Sequence, residues 1–189
     1  DGDYSTAIGY NALTAQTGVT GTVGNTAVGY YAATAVTSGV RNTMLGALSG
    51  QQIETGQDNT AIGYASMGSS DGDVGSSFNT FLGTYSGNGS WAGGDIDKNT
   101  GIGYYALGNG AMNGASNNTA VGFESGKEVT TASGSVLIGS SAGGTITTGN
   151  DNIAIGLNAI NGGTTTGDNN IAIGTQAMDA VTSGHDNIG

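Results

Sequence analysis

The chain has 189 residues and a formal net charge of −11, with only three basic side chains, 38 glycines and neither proline nor cysteine. Such a charge repels phosphate backbones and anionic lipid surfaces, so nucleic acid is not an expected partner. The absent cysteines rule out disulfide staples and thiolate chemistry. No run approaches the roughly 20 apolar residues of a membrane helix, so no membrane insertion is expected within this chain, and no signal peptide is visible.

From Ser5 onward one phrase returns ten times, in its fullest form Asn-Thr-Ala-Ile-Gly-Tyr-x-Ala. Its glycines are Gly9, Gly29, Gly46, Gly63, Gly83, Gly103, Gly122, Gly139, Gly156 and Gly174, spaced 17 to 20 residues apart. A phrase at that interval marks a repeat architecture in which each unit packs on its neighbours. The expectation is an all-β fold: a parallel β-solenoid of about ten 17–20-residue coils forming one repeat domain over residues 1–189. Stacked at about 4.8 Å per coil, it would be a rod about 48 Å long. An eleventh copy begins at His185, so the chain is expected to be a segment of a longer fibre or a subunit that stacks end to end.

Each column of the aligned copies has a physical meaning. Asn25 and Asn59 stand four residues before the glycine, where Asn suits a turn and can ladder from coil to coil. The residue before the glycine, Ile62 for example, is aliphatic in every copy and is expected to face the core. The glycines themselves, such as Gly63 and Gly156, anchor the repeat. Three residues after each comes Ala or Ser, then either a long apolar side chain or Gly or Ala. Thr-rich segments such as Val36-Thr37-Ser38-Gly39 and Ile146-Thr147-Thr148-Gly149 predict a second short strand in most coils. The few aliphatic side chains of one coil are small cover for the backbone entropy of ordering it, which points to bundling of several chains.

The middle coils depart from the repeat. Insertions fall at Ser69–Gly75 and at Asn88–Lys98, where solenoids place loops on one face. Trp91 is the single tryptophan. With Tyr85, Asp95 and Asp97 it forms the candidate ligand site: a flat ring beside carboxylates suits a host cell-surface glycan or protein. Asp71 and Asp73 supply hard oxygen ligands at alternate positions, as a single Ca2+ at an insertion would need; no other cofactor is expected. A regular ion column through Asp58, Asp151 and Asp186 is not expected, because Arg41 and Lys98 occupy the same column. Aromatic residues follow the glycine at Tyr10, Tyr30, Tyr64, Tyr104 and Phe123, and none occurs beyond Phe123. With one histidine, no cysteine and no indicated cleft, an enzyme is not expected.

The phrase, best copied in Asn25-Thr26-Ala27-Val28-Gly29-Tyr30, Asn59-Thr60-Ala61-Ile62-Gly63-Tyr64 and Asn152-Ile153-Ala154-Ile155-Gly156, resembles the head repeat of trimeric autotransporter adhesins. It is also similar to repeats in fibre proteins of bacteriophages and bacterial surface appendages. The resemblance spans essentially the whole chain, although these coils are longer than the usual head repeat. It implies a left-handed β-roll, a homotrimer, and an extracellular place on a bacterial surface or a virion, with adhesion through many shallow contacts. Two alternatives compete. An ice-binding solenoid would use Thr37, Thr147, Thr165 and Thr182, or Ser38, Thr55, Thr148 and Thr166, as a flat row. A filament subunit would polymerise end to end.

Overall fold

The computed structural model describes residues 4–17, 21–68, 75–91 and 94–189. Each copy of the phrase supplies one three-residue strand: β1 (Thr6–Ile8), β2 (Thr26–Val28), β3 (Thr43–Leu45), β4 (Thr60–Ile62), β5 (Thr80–Leu82), β6 (Thr100–Ile102), β7 (Thr119–Val121), β8 (Val136–Ile138), β9 (Ile153–Ile155) and β10 (Ile171–Ile173). The strands stack in chain order into one parallel ten-stranded sheet. Repeat-mates pair residue for residue, as in Thr43 with Thr60, Met44 with Ala61 and Leu45 with Ile62. No helix occurs among the described residues. The fold is the expected all-β parallel solenoid.

Two local expectations are corrected. The second strand of each coil shrinks to isolated bridges such as Ile146 with Thr165 and to backbone hydrogen bonds such as Thr37 N–H to the Glu54 carbonyl, 2.9 Å. Turns and glycines close around the β-branched residues before a ladder can extend. The second correction concerns the core. Successive strand side chains alternate between faces, so a three-residue strand has one inward position, the middle one. Ala27, Met44, Ala61, Phe81, Ala120, Leu137, Ala154 and Ala172 hold it and are fully buried. The aliphatic residue before the glycine, Ile62 included, therefore faces outward.

The core balances volume coil by coil. Where the middle strand residue is large, the residue four after the repeat glycine is itself glycine: Met44 goes with Gly50, Phe81 with Gly87, and Leu137 with Gly143. In other coils it is Ala or Gly and a long side chain fills the space from the other position: Ala61 goes with Met67, Gly101 with Leu107, and Ala154 with Ile160. Ala27 with Ala33 and Ala120 with Gly126 are small at both positions, and at Gly126 the Leu107 and Leu137 side chains close in from the neighbouring coils. A Cβ added at Gly87 would meet the Phe81 ring at 2.6 Å. In those six coils the residue four after the glycine is thus the complement of the middle strand residue. It satisfies the close packing an interior demands.

Two features hold the coils in register. At Gly63 φ is +132°, and an added Cβ would lie 2.6 Å from the carbonyl carbon and oxygen of Gly83; Gly156 has the same φ, with the Gly174 carbonyl carbon at 2.6 Å. Only glycine reaches that backbone region without strain. Beside this seam runs the expected asparagine ladder. Asn42 N–H donates to Asn25 Oδ1 at 2.8 Å, Asn59 N–H to Asn42 Oδ1 at 3.0 Å, and Asn79 N–H to Asn59 Oδ1 at 3.0 Å. Each amide also donates onward to a carbonyl of the next coil: Asn25 to Gly39, Asn59 to Ser76 and Asn152 to Gly167. These asparagines are buried. Ser135 keeps half of the function, its hydroxyl accepting from Asn152 N–H at 3.3 Å.

Asn59→Ala leaves the Asn79 N–H without its acceptor and removes one donor to the Ser76 carbonyl, so it is expected to destabilise by about 1–3 kcal/mol in denaturant melts. Asn59→Ser should lose less, because the Ser135 rung shows that a hydroxyl can accept there. The volume balance gives a second expectation. Phe81→Ala should lose about 3–5 kcal/mol, and adding Gly87→Leu, a residue the equivalent Leu107 already carries, should restore most of it. Strict additivity of the two changes in the same melts would refute the pairing.

Candidate functional site

The outward face of the sheet is its most extensive feature. Positions one and three of every strand point there. In β1 to β7 they read Thr then aliphatic, and in β8 to β10 Val or Ile then Ile. None of these side chains is charged, although the chain carries −11. The aliphatic column stays accessible, from 36 % at Ile102 to 61 % at Ile173 among its most open members. In-register pairing places its rungs one coil apart along the whole sheet.

Aromatic side chains flank the first seven coils in two groups. Tyr10 stacks on Tyr30 at 5.7 Å, with Tyr31 set edge-on to Tyr30 at 4.5 Å. Further along, Tyr64 meets Tyr85 edge-on at 5.4 Å, Tyr85 stacks on Tyr105 at 4.9 Å, and Tyr104 stacks on Phe123 at 5.4 Å. Desolvation, then the Tyr64 hydroxyl, raises the Tyr85 pKa above the ordinary phenol value. Tyr85 therefore remains a hydrogen-bond donor throughout the physiological range.

The four residues expected to form a ligand site do not converge. Trp91 is buried, 3 % exposed, within the core cluster, so it offers no stacking platform. Val36, Ile53, Val129 and Ile146 hold the core of the second side seven residues after their glycines. In the Gly83 coil that count falls on Ser90, and it is the ring of Trp91, one residue later, that enters the core. Asp95 Oδ1 accepts from Gly75 N–H at 3.1 Å, and Asp97 Oδ1 from Ser77 N–H at 2.7 Å. Both carboxylates brace the preceding coil.

Asp97 is in fact one rung of a second ladder. Gln57 N–H donates to Ser77 Oγ, Ser116 N–H to Ser133 Oγ, Ser133 N–H to Asn150 Oδ1, Asn150 N–H to Asp168 Oδ1 and Asp168 N–H to His185 Nδ1. Tyr85 alone of the four lies at the surface without such a structural bond.

Asp71 and Asp73 lie outside the described residues. Among the described residues no three Asp, Glu or His groups gather where a metal ion could sit. The charged turn column carries its own counter-charge instead. Arg41 grips Asp58 with Nε to Oδ1 and Nη2 to Oδ2, both 2.7 Å. The Arg41 hydrogen bond is the main reason the Asp58 carboxyl is held below its usual range. The Thr rows considered for ice also change: Thr165 is buried, its hydroxyl donating to the Gly163 and Val181 carbonyls, so Thr37, Thr147, Thr165 and Thr182 do not form one open face.

A groove of about 460 Å³ lies beside the second aromatic group. Tyr64, Ala65, Tyr85, Gln51, Gln52 and Asn88 are among its walls. It draws on three consecutive coils, and of these residues the sequence placed only Tyr85 in a candidate ligand site.

Comparison with protein-family models, curated proteins and solved structures finds no match for this chain.

With its ring in the core, Trp91 is expected to emit at short wavelength in the folded protein and to resist iodide. It should become quenchable only on unfolding. Native-state quenching like that of free tryptophan would show the ring to be outside. Trp91→Ala should lower stability by about 3–5 kcal/mol.

Proposed function

We propose that the chain is a segment of an extracellular trimeric fibre, a shaft or head on a bacterial surface or a virion, whose work is reach and adhesion. The observation that carries this reading is the uncharged outward sheet face, with its aliphatic column running the length of the coil stack. A contiguous apolar surface of that extent is unusual on an isolated soluble protein. Its repeat is one coil, so a partner that covers all of it must share the same pitch. A second copy in parallel meets that condition, and cyclic symmetry closes such copies into a ring of identical contacts. The number three comes from the resemblance of the Asn-Thr-Ala-Ile-Gly-Tyr phrase to trimeric adhesin heads.

Charge supports the same arrangement. Three copies would bring about −33 together, which is tolerable only if the charges lie away from the contact; the twenty outward strand positions hold none. The face is most apolar in β8 to β10, where Val136, Ile153 and Ile171 replace threonine. The aromatic groups belong to the other seven coils. This division suits tight packing at one end and exposed ligand-bearing surface at the other.

One observation favours a second reading. The seven-coil row Thr6, Thr26, Thr43, Thr60, Thr80, Thr100 and Thr119, with an aliphatic residue two places on, is a regular hydroxyl–methyl array on a parallel sheet. An ice-binding solenoid would use such an array, provided that no second chain covered it.

Light scattering across a range of concentrations is expected to give a constant mass of three chains. Ile62→Glu combined with Ile102→Glu should release monomers that keep the β-rich circular dichroism. A folded monomeric wild type with thermal hysteresis would replace the fibre reading with the ice-binding one. Open-ended growth would indicate a filament subunit.

A further inference from the structure

The residue two after the repeat glycine stands at positive φ in every coil, from Asn11 to Gln176. Stacked coils therefore align these side chains in one column. Only Ala65 in that column ends at Cβ, and Leu48 and Tyr85 stand on the coils either side of it. The next smallest is Ser141. Surface grooves sit at both positions: about 460 Å³ over Ala65 and about 210 Å³ over Ser141. Each groove is thus a missing side chain in an otherwise continuous column.

The two differ in chemistry. The Ser141 groove is walled by Glu124, Glu128 and Lys127, and Lys127 Nζ already pairs with Glu124 at 3.2 Å. Among the described residues the Ala65 groove has no charged wall. It offers the accessible Tyr64 ring, the edge of Tyr85 with its hydroxyl, and the amides of Gln51, Gln52 and Asn88. Asn88 is set in place by donating to the Ala65 carbonyl at 3.2 Å and the Gly68 carbonyl at 2.7 Å. We propose that this notch binds a neutral carbohydrate, a hexose or short oligosaccharide, with its apolar C–H face on Tyr64 and its hydroxyls on the amides.

Aromatic rings beside a few fixed polar groups suit a ligand that is apolar on its faces and polar at its rim. The volume lies within the range of about 300–1,000 Å³ typical of small-ligand sites. An anionic ligand would meet no cation among the described walls and a net charge of −11 around them. The inter-coil hydrogen bonds fix the spacing of the three contributing coils in advance, which lowers the entropy lost on binding. This inference deepens the adhesive part of the fibre reading. It is independent of the trimer, because one chain builds the notch.

The test is saturation-transfer NMR on the protein in its native assembly, with D-glucose, D-galactose, N-acetylglucosamine, lactose and 3′-sialyllactose as probes. Transfer from the aromatic protons to at least one neutral sugar is expected. Ala65→Leu installs the side chain that Leu48 already carries at the same column and similar φ, so it should fill the notch without unfolding the chain. It should weaken binding about tenfold or more, ~1.4 kcal/mol or above, as should Tyr64→Ala. Ser141→Leu, at the other groove, should leave binding unchanged. The proposal is overturned if no neutral sugar shows transfer, if folded Ala65→Leu binds like wild type, or if 3′-sialyllactose binds better than lactose. Light scattering on the same samples separates the outcomes: a trimer without transfer rejects the notch alone, and a sugar-binding monomer rejects the trimer alone.

Discussion

The whole molecule depends on how closely adjacent coils approach at the glycine seam. Each repeat glycine lies almost against the backbone of the next, at a φ that side chains rarely adopt. That approach brings the flanking three-residue strands into parallel register and lets every strand be so short. A wider spacing would break the strand pairs and the buried asparagine ladder together, since both span the same interval. The variable coil lengths are tolerated because extra residues are accommodated away from this seam.

Two ladders of side-chain hydrogen bonds run along the stack in opposite senses. In the asparagine ladder a backbone N–H reaches to the side chain of the coil before it. In the ladder through Ser77, Asp97, Ser116, Ser133, Asn150, Asp168 and His185 it reaches to the side chain of the coil after it. Each coil is therefore tied to both neighbours by side chains as well as backbone. Tension along the axis would load many short bonds at once. These ties also explain why the acidic residues of the middle insertion serve the scaffold: Asp95 and Asp97 spend their acceptors on backbone N–H groups.

A solenoid varies its surface by changing one residue in a column while the backbone stays the same. Replacing threonine by Val136, Ile153 and Ile171 makes the last coils more apolar, and the aromatic residues stop at the same boundary. Shrinking one member of a column to Ala65 opens a groove between Leu48 and Tyr85. The core obeys the same logic, with Phe81 and Gly87 exchanging volume inside one coil. The surface of this solenoid is varied by departures from a repeat rather than by a separate appended fold.

The sequence by itself determined the period, the parallel stacking and the structural role of Asn25, Asn59, Gly63 and Gly156. Those follow from local chemistry: a turn that needs asparagine, a backbone that only glycine can adopt, and a phrase repeated in phase. Which strand residue faces inward was decided by the tertiary structure. Both Ala61 and Ile62 fit an extended backbone, and the aliphatic partner looked like the core. The strand phase is set by the glycine turn, which sends Ala61 inward and Ile62 out. Trp91 was misplaced for a related reason, since it stands eight residues after Gly83 rather than the seven of Val36 and Ile146, and only the packed stack shows its ring turned inward. The groove over Ala65 was not legible either, because its walls come from three coils and meet only when the stack forms.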